Sequence, residues 1–150
     1  SDLRRQRQMC IRDSPGGELG KQLALKVENI MHPINDVAQI NNKDSISSCA
    51  KKMTDNPLGA ALLLENGSLK GIVTEGDLRK SIASNLDLSN SIEPFINDNP
   101  ISIHSSVSIL DAMKIMEDRS SKISCLPVID SDGKCLGLLT IHDLYQTKLV

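Results

Sequence analysis

Two stretches of the chain have hydrophobic residues at the spacing of an amphipathic helix. In residues 108–116 the apolar side chains are Ile109, Ala112, Met113 and Met116. Ser108 precedes them, and Asp111 follows three residues later, which is a capping-box pattern at the start of a helix. Residues 45–53 carry a fainter version of this pattern, so two equivalent helices are predicted.

Each of these helices is followed by two apolar runs with a turn dipeptide between them. The dipeptides are Asn66-Gly67 and Asp132-Gly133. Asn-Gly or Asp-Gly between two apolar runs indicates a β-hairpin. A second short helix is predicted after each hairpin, over residues 77–83 and 143–148. A short strand is predicted before each first helix, over residues 37–40 and 101–103.

The elements recur because the sequence itself recurs. GIVTEGDLR at residues 71–79 returns as GLLTIHDLY at residues 137–145, an offset of 66 residues, and farther upstream the offset is 63. A three-residue insertion within residues 119–124 accounts for the change of offset. The predicted fold class is therefore α/β, of the α+β type, with the order β-α-β-β-α occurring twice.

Composition favours two units packed together rather than two separate ones. The chain has 150 residues, 39% of them hydrophobic, which is enough for one core, whereas a unit of about 60 residues alone would be marginal. Pseudo-two-fold packing of the units is expected. The only aromatic residues are Phe95 and Tyr145, so the core must be aliphatic and few rings could stack on single-stranded bases.

Charge and polar residues argue against several classes of partner. The net charge is −2 with no basic stripe after the N-terminus, so nucleic acid is not an expected partner. No apolar run approaches the ~20 residues of a membrane span.

The cysteines lack CxxC spacing and are interpreted as core residues of a reduced, cytoplasmic protein. The histidines have no ligand-like spacing, so no metal site is predicted. His142 alone lies inside the repeated motif.

The N-terminal residues differ from the rest of the chain. Residues 1–14 contain four arginines and resemble translated sequencing-adapter read-through, so they are interpreted as a foreign or disordered tail and excluded from the fold. The next segment, SPGGELGKQLALKV, resembles the end of the sugar isomerase domain in arabinose 5-phosphate isomerases. In that family an HPGGxLG stretch leads into a pair of cystathionine β-synthase (CBS) domains.

The remainder of the chain resembles such a CBS pair in the order, spacing and duplication of VENIMHP, GIVTEGDLRK and GLLTIHDL. The resemblance implies a remnant of the isomerase domain and linker at residues 15–26, CBS domains at 27–85 and 92–150, and a linker at 86–91. The family's histidine before PGG, which the resemblance would make catalytic, is Ser14 here. The upstream catalytic domain is expected to be absent from this chain, which should therefore have no isomerase activity.

The repeated TxxD motif supplies the candidate site residues Thr74, Asp77, Thr140 and Asp143. Each threonine is expected to end a strand and open a helix, where its hydroxyl and the free N–H groups of the first turn can receive a phosphate. A carboxylate three residues on can accept both hydroxyls of a ribose. CBS pairs, which this chain resembles, commonly hold adenosine nucleotides between the two units. The alternative is that TxxD is only a helix cap.

The two copies of the motif are not expected to be equal. The first has Glu75-Gly76 between threonine and aspartate, which adds negative charge near any phosphate, and the second has Ile141-His142. The sequence therefore favours Thr140 and Asp143 as the ligand-binding pair.

No nucleophile-and-base constellation, metal cluster or nucleotide-binding glycine loop is visible, so a regulatory binding module is the leading hypothesis. No cofactor is required; the candidate regulatory ligands are an adenosine nucleotide or CMP-Kdo. The alternative is a CBS pair without a ligand that serves as a dimerisation element. Under either hypothesis a homodimer is expected, with the helix faces that carry Met53 and Met116 among the candidate contact surfaces.

Overall fold

The computed structural model describes residues 25–117 and 123–146, and the fold is α/β as predicted. The predicted N-terminal tail, most of the isomerase remnant, part of the insertion and the end of the last helix lie outside the described residues. Within them, the order β-α-β-β-α occurs twice.

The first unit contains β2 (Ala38–Ile40), α2 (Ile46–Asp55), β3 (Ala60–Glu65), β4 (Ser68–Thr74) and α3 (Glu75–Ser84). The second contains β5 (Ile103–His104), α4 (Ile109–Glu117), β6 (Cys125–Ile129), β7 (Cys135–Thr140) and α5 (Ile141–Gln146). Upstream of both lie one helical turn, α1 (Val27–Ile30), and a two-residue strand, β1 (His32–Pro33).

The local signals predicted from the sequence are present in the structure. The hydroxyl of Ser45 accepts a hydrogen bond from the Ser48 N–H, and that of Ser108 accepts one from Asp111. Asn66 and Gly67 have φ angles of 53° and 83°, the left-handed conformation that a tight hairpin turn requires. The second helix of each unit begins two residues earlier than predicted, directly after the threonine of TxxD, because that threonine is the N-cap.

Each unit has its own sheet. In the first, β2 is parallel to β3, and β3 is antiparallel to β4. In the second, β5 is parallel to β6, and β6 is antiparallel to β7. A hydrophobic cluster between the sheets joins the units, and it includes Leu62 and Ile72 from the first unit and Cys125 and Leu138 from the second.

The segment that leads into each unit packs on the other unit. Strand β1 pairs with β7, with His32 opposite Leu138, so the second sheet has the order β1-β7-β6-β5. In the equivalent place, Asn97 pairs with Ile72 of β4 through N–O distances of 3.0 and 2.9 Å. The two leading segments therefore cross, and each completes the partner unit's sheet.

The hydrophobic core of each unit also includes a residue from the segment that leads into the other unit. Val27 is fully buried in the core of the second unit, and Ile92 is fully buried in the core of the first. The expectation that Met53 and Met116 expose apolar helix faces is wrong: the two residues are 6% and 1% exposed. Both point inward because their helices use this face to cover the unit's own sheet.

Candidate ligand-binding site

The first TxxD copy forms a reciprocal cap at the start of α3. The backbone N–H and the hydroxyl of Thr74 donate to Asp77 Oδ2 at 3.1 and 3.0 Å, and the Asp77 N–H donates to Thr74 Oγ1 at 3.4 Å. Within the described part of the chain, Asp77 Oδ1 receives no hydrogen bond. Both residues are half-buried, so Asp77 Oδ1 remains able to accept a hydrogen bond from a ligand or from water.

The second copy forms the same cap and is tied to the other unit as well. The Thr140 N–H donates to Asp143 Oδ2 at 2.8 Å, and the Asp143 N–H donates to Thr140 Oγ1 at 3.1 Å. Asp143 Oδ1 lies 2.8 Å from Nε2 of His32, which comes from the crossing segment. Thr140 and Asp143 are 7% and 9% exposed, so both oxygens of this carboxylate already have partners inside the fold.

Two cavities lie where the units meet, one beside each threonine. The first has a volume of about 380 Å³, and its lining includes Thr74, Glu75, Arg79, Asn97 and Cys125. The second has a volume of about 400 Å³, and its lining includes His32, Glu75, Cys125, Thr140 and His142. Both volumes are within the range of small-molecule sites.

The structure separates the threonines of the motif from its aspartates. Thr74 and Thr140 line the cavities, whereas Asp77 and Asp143 are absent from both linings and lie behind them in the caps. Glu75 lines both cavities. The charge of Glu75 therefore does not distinguish the two copies, because the cleft brings that side chain to both threonines.

Three site residues were not anticipated from the sequence. Arg79 lies one helical turn after Glu75, and its Nη2 is 3.7 Å from Glu75 Oε2. Asn97 and His32 reach the cleft on the crossing segments. Their common role could have been suspected only by extending the repeat upstream, where residues 27–32 (VENIMH) align with residues 92–97 (IEPFIN).

The described cysteines are buried, as predicted, and carry no disulfide. Cys125 borders both cavities, and burial raises the pKa of its thiol above the ordinary value. Because only a thiolate is strongly nucleophilic, Cys125 contributes an uncharged, weakly polar wall rather than a reactive group.

Neither a metal-binding cluster nor a membrane-spanning helix is present among the described residues. Residues 25–117 and 123–146 contain no group of three or more His, Cys, Asp or Glu side chains that could hold a metal ion. The same residues include no helix long and apolar enough to cross a membrane.

These features define a pair of repeated α/β domains that face each other across a shared cleft. The chain belongs to the CBS domain family, because the family model for the CBS domain matches residues 27–84 and 92–148.

Several curated relatives are arabinose 5-phosphate isomerases. The chain is 36% identical over 138 residues to arabinose 5-phosphate isomerase KdsD of Pseudomonas aeruginosa, covering 91% of this chain and 42% of the relative. It is 35% identical to the KdsD of Francisella tularensis, covering 90% of this chain and 41% of that protein. The chain thus spans about two fifths of the length of these relatives.

Solved structures share the fold at lower identity. The CBS-pair protein CBSX2 of Arabidopsis thaliana is 19% identical with a TM-score of 0.69, over 84% of this chain and 95% of that chain. A CBS domain protein of Pyrobaculum aerophilum complexed with AMP is 22% identical with a TM-score of 0.67, over 79% of this chain and 89% of that chain. CBSX2 has also been solved in complex with AMP.

Proposed function

We propose that this CBS pair is a regulatory module that binds a nucleotide or sugar nucleotide in the cleft between its two units. The observation that carries the proposal is the pair of cavities at the unit interface, each beside the threonine that caps a helix. Backbone N–H groups at a helix start favour a phosphate. Structural neighbours complexed with AMP support the same class of ligand.

The ligand-binding residues belong to this proposal. Thr74 and Thr140 would present hydroxyls to the ligand, because both line a cavity. Asp77 and Asp143 would contact a ribose only if the ligand reaches past the threonines. Asp77 is the better placed of the two, since one of its oxygens has no partner among the described residues.

The parent protein is proposed to be a cytoplasmic arabinose 5-phosphate isomerase, on the identity with the KdsD relatives. CMP-Kdo, the downstream product in that pathway, would then act as a feedback signal.

Calorimetric titration tests the binding proposal. AMP, ATP and CMP-Kdo are each titrated into the purified chain, and thermal unfolding is recorded at a large excess of each. A ligand at a hundred times its Kd should stabilise the fold by about 2.7 kcal/mol. If none of the three produces heat of binding or raises the melting temperature, the proposal fails.

A second candidate function is a dimerisation element without a ligand. Apolar side chains on the outer helices favour it, because Ile82 of α3 and Leu110 of α4 are 43% and 39% exposed. CBS pairs could bury such surfaces by association of two chains. Light scattering at tens of micromolar protein should give the mass of a dimer; the mass of a monomer would contradict dimerisation without affecting the ligand proposal.

A further inference from the structure

The two cavities differ in fixed charge, and this difference bears on where a phosphate can bind. Arg79 is the only lysine or arginine in either lining among the described residues. Its counterpart in the second copy is Tyr145, which lines neither of the two cavities. Among the residues that the structure describes, a permanent positive charge therefore lines the first cavity and not the second.

The guanidinium of Arg79 is available to an anionic ligand. Within residues 25–117 and 123–146 it forms one ion pair, with Glu75 at 3.7 Å, and the two side chains are 78% and 65% exposed. An exposed pair of this kind contributes about 0–1 kcal/mol, so it offers little resistance to exchange. A phosphate can replace Glu75 with two parallel, charge-assisted hydrogen bonds.

The rest of the first cavity suits the uncharged part of a nucleotide. Ile72, Ile101 and Ile123 contribute apolar surface to its lining. Asn97 contributes an amide whose Oδ1 already accepts from the Asn99 N–H at 3.0 Å, so its Nδ2 group is the part that can donate to a ligand. A lining that combines one arginine with apolar surface matches a phosphate joined to a nucleoside.

At the second cavity, His32 is already bonded within the fold. His32 occupies the position of Asn97, but its Nε2 is bonded to Asp143. The other oxygen of Asp143 is bonded to the backbone N–H of Thr140. Any positive charge on His32 is therefore balanced by a neighbouring carboxylate before a ligand arrives.

From these observations, and resting on the proposed function, we infer that the chain holds one phosphorylated ligand, in the cavity beside Thr74, with its phosphate on Arg79. This is the half of the cleft that the sequence motif alone disfavours. The second half acts as a structural contact between the units.

The test compares Arg79→Gln with Lys80→Gln in calorimetric titrations. Lys80 is exposed on the same helix and lines neither cavity, so its variant makes the same change of net charge away from the site. The titrants are AMP with adenosine, and CMP with cytidine. Thermal unfolding of each variant verifies that the fold is retained.

We expect one site per chain, with the nucleotide bound more tightly than its nucleoside. Arg79→Gln should weaken nucleotide binding about tenfold to a hundredfold and leave nucleoside binding unchanged. Lys80→Gln should behave as wild type in both titrations.

Several results would overturn the inference while leaving the proposed function intact. They are two equal sites per chain, equal affinity for nucleotide and nucleoside, or a folded Arg79→Gln that binds nucleotide as wild type does. A tenfold loss in Asp143→Ala with no loss in Arg79→Gln would move the site to the second cavity. If wild type binds neither nucleotide nor CMP-Kdo, the proposed function itself fails.

Discussion

Asp143 and Asp77 occupy equivalent positions but have different structural roles. Asp77 caps its own helix, whereas Asp143 caps its helix and also binds His32 on the crossing segment. Hydrogen bonds to a charged group contribute about 1.5–3 kcal/mol, and a buried partner left unsatisfied adds to the loss. The two carboxylates should therefore differ in what they contribute to stability.

Replacing Asp143 by alanine should lower the free energy of unfolding by about 2–3 kcal/mol, since it removes a cap and the bond to His32. The matched Asp77→Ala should cost about 1 kcal/mol, the value of a cap alone. Urea unfolding of both variants measures the difference. Equal losses would show that the bond to His32 contributes nothing to stability.

Cys49 is fully buried in the core of the first unit. The pKa of its thiol is raised from 9.0 to about 11, chiefly by burial and also by the negative charge of Asp44, with the positive charge of Lys52 opposing. In the unfolded chain the thiol ionises near its ordinary pKa, whereas the folded protein holds the proton to higher pH. The stability from this difference is present below pH 9 and is lost as the pH rises toward 11.

Cys49→Ala should therefore make the stability of the protein less sensitive to alkaline pH. Ala112 occupies the equivalent core position in the second unit, so alanine is compatible with this helix packing. Between pH 9 and 11 the free energy of unfolding of wild type should fall by about 2 kcal/mol more than that of the variant. Parallel curves from urea unfolding across this range would contradict the role assigned to Cys49.

At the scale of elements, the contact of each crossing segment with the other unit's sheet depends on a glycine at the start of the repeated motif. A Cβ on Gly137 would overlap the carbonyl oxygen of His32 in β1. A Cβ on Gly71 would lie 2.6 Å from Ile96 Cγ2 and 3.1 Å from the Asn97 oxygen. The repeat has glycine at both positions because a leading segment passes directly over each.

Gly137→Ala should destabilise the protein by about 2–3 kcal/mol, because the added methyl group forces β1 away from β7. Gly76→Ala is the control: its nearest neighbour would be Thr74 Oγ1 at 3.8 Å, and alanine favours the helix that Gly76 occupies. The control should match wild type or gain up to about 1 kcal/mol. Thermal or urea unfolding distinguishes the two, and a neutral Gly137→Ala would mean that the crossing contact is loose.

At the scale of the whole molecule, the exchange of leading segments makes the two units depend on each other. The core of the first unit includes Ile92, and that of the second includes Val27. Burying one such side chain stabilises by about 1.5–3 kcal/mol, a large share of the stability of a small domain. Neither unit keeps its full core when the chain is divided between them.

A polypeptide of residues 25–91 should therefore show no cooperative unfolding, whereas residues 25–146 should unfold in one transition. Circular dichroism during urea titration measures both. Adding the complementary fragment, residues 92–146, should restore helical signal in a concentration-dependent way. A sigmoidal transition for residues 25–91 alone would contradict the dependence.

The secondary structure could be predicted from sequence because its signals are local. Ser45 and Ser108 mark helix starts within a few residues of the apolar pattern they precede, and Asn66-Gly67 marks its own turn. The offset of 66 residues then implied that both halves have the same fold. The threonines of TxxD followed from the same reasoning, as residues between a strand and a helix.

The cleft could not be predicted in the same way, because its residues come together only when the units pack. His32 meets Asp143 and Asn97 meets Ile72 through contacts between residues far apart in the chain, which leave no periodic pattern in the sequence. Glu75 affects both cavities because the pseudo-two-fold packing brings the two helix starts together. The sequence by itself determined two copies of one local fold, whereas the tertiary structure decided which side chains surround each cavity, since that depends on how the units cross.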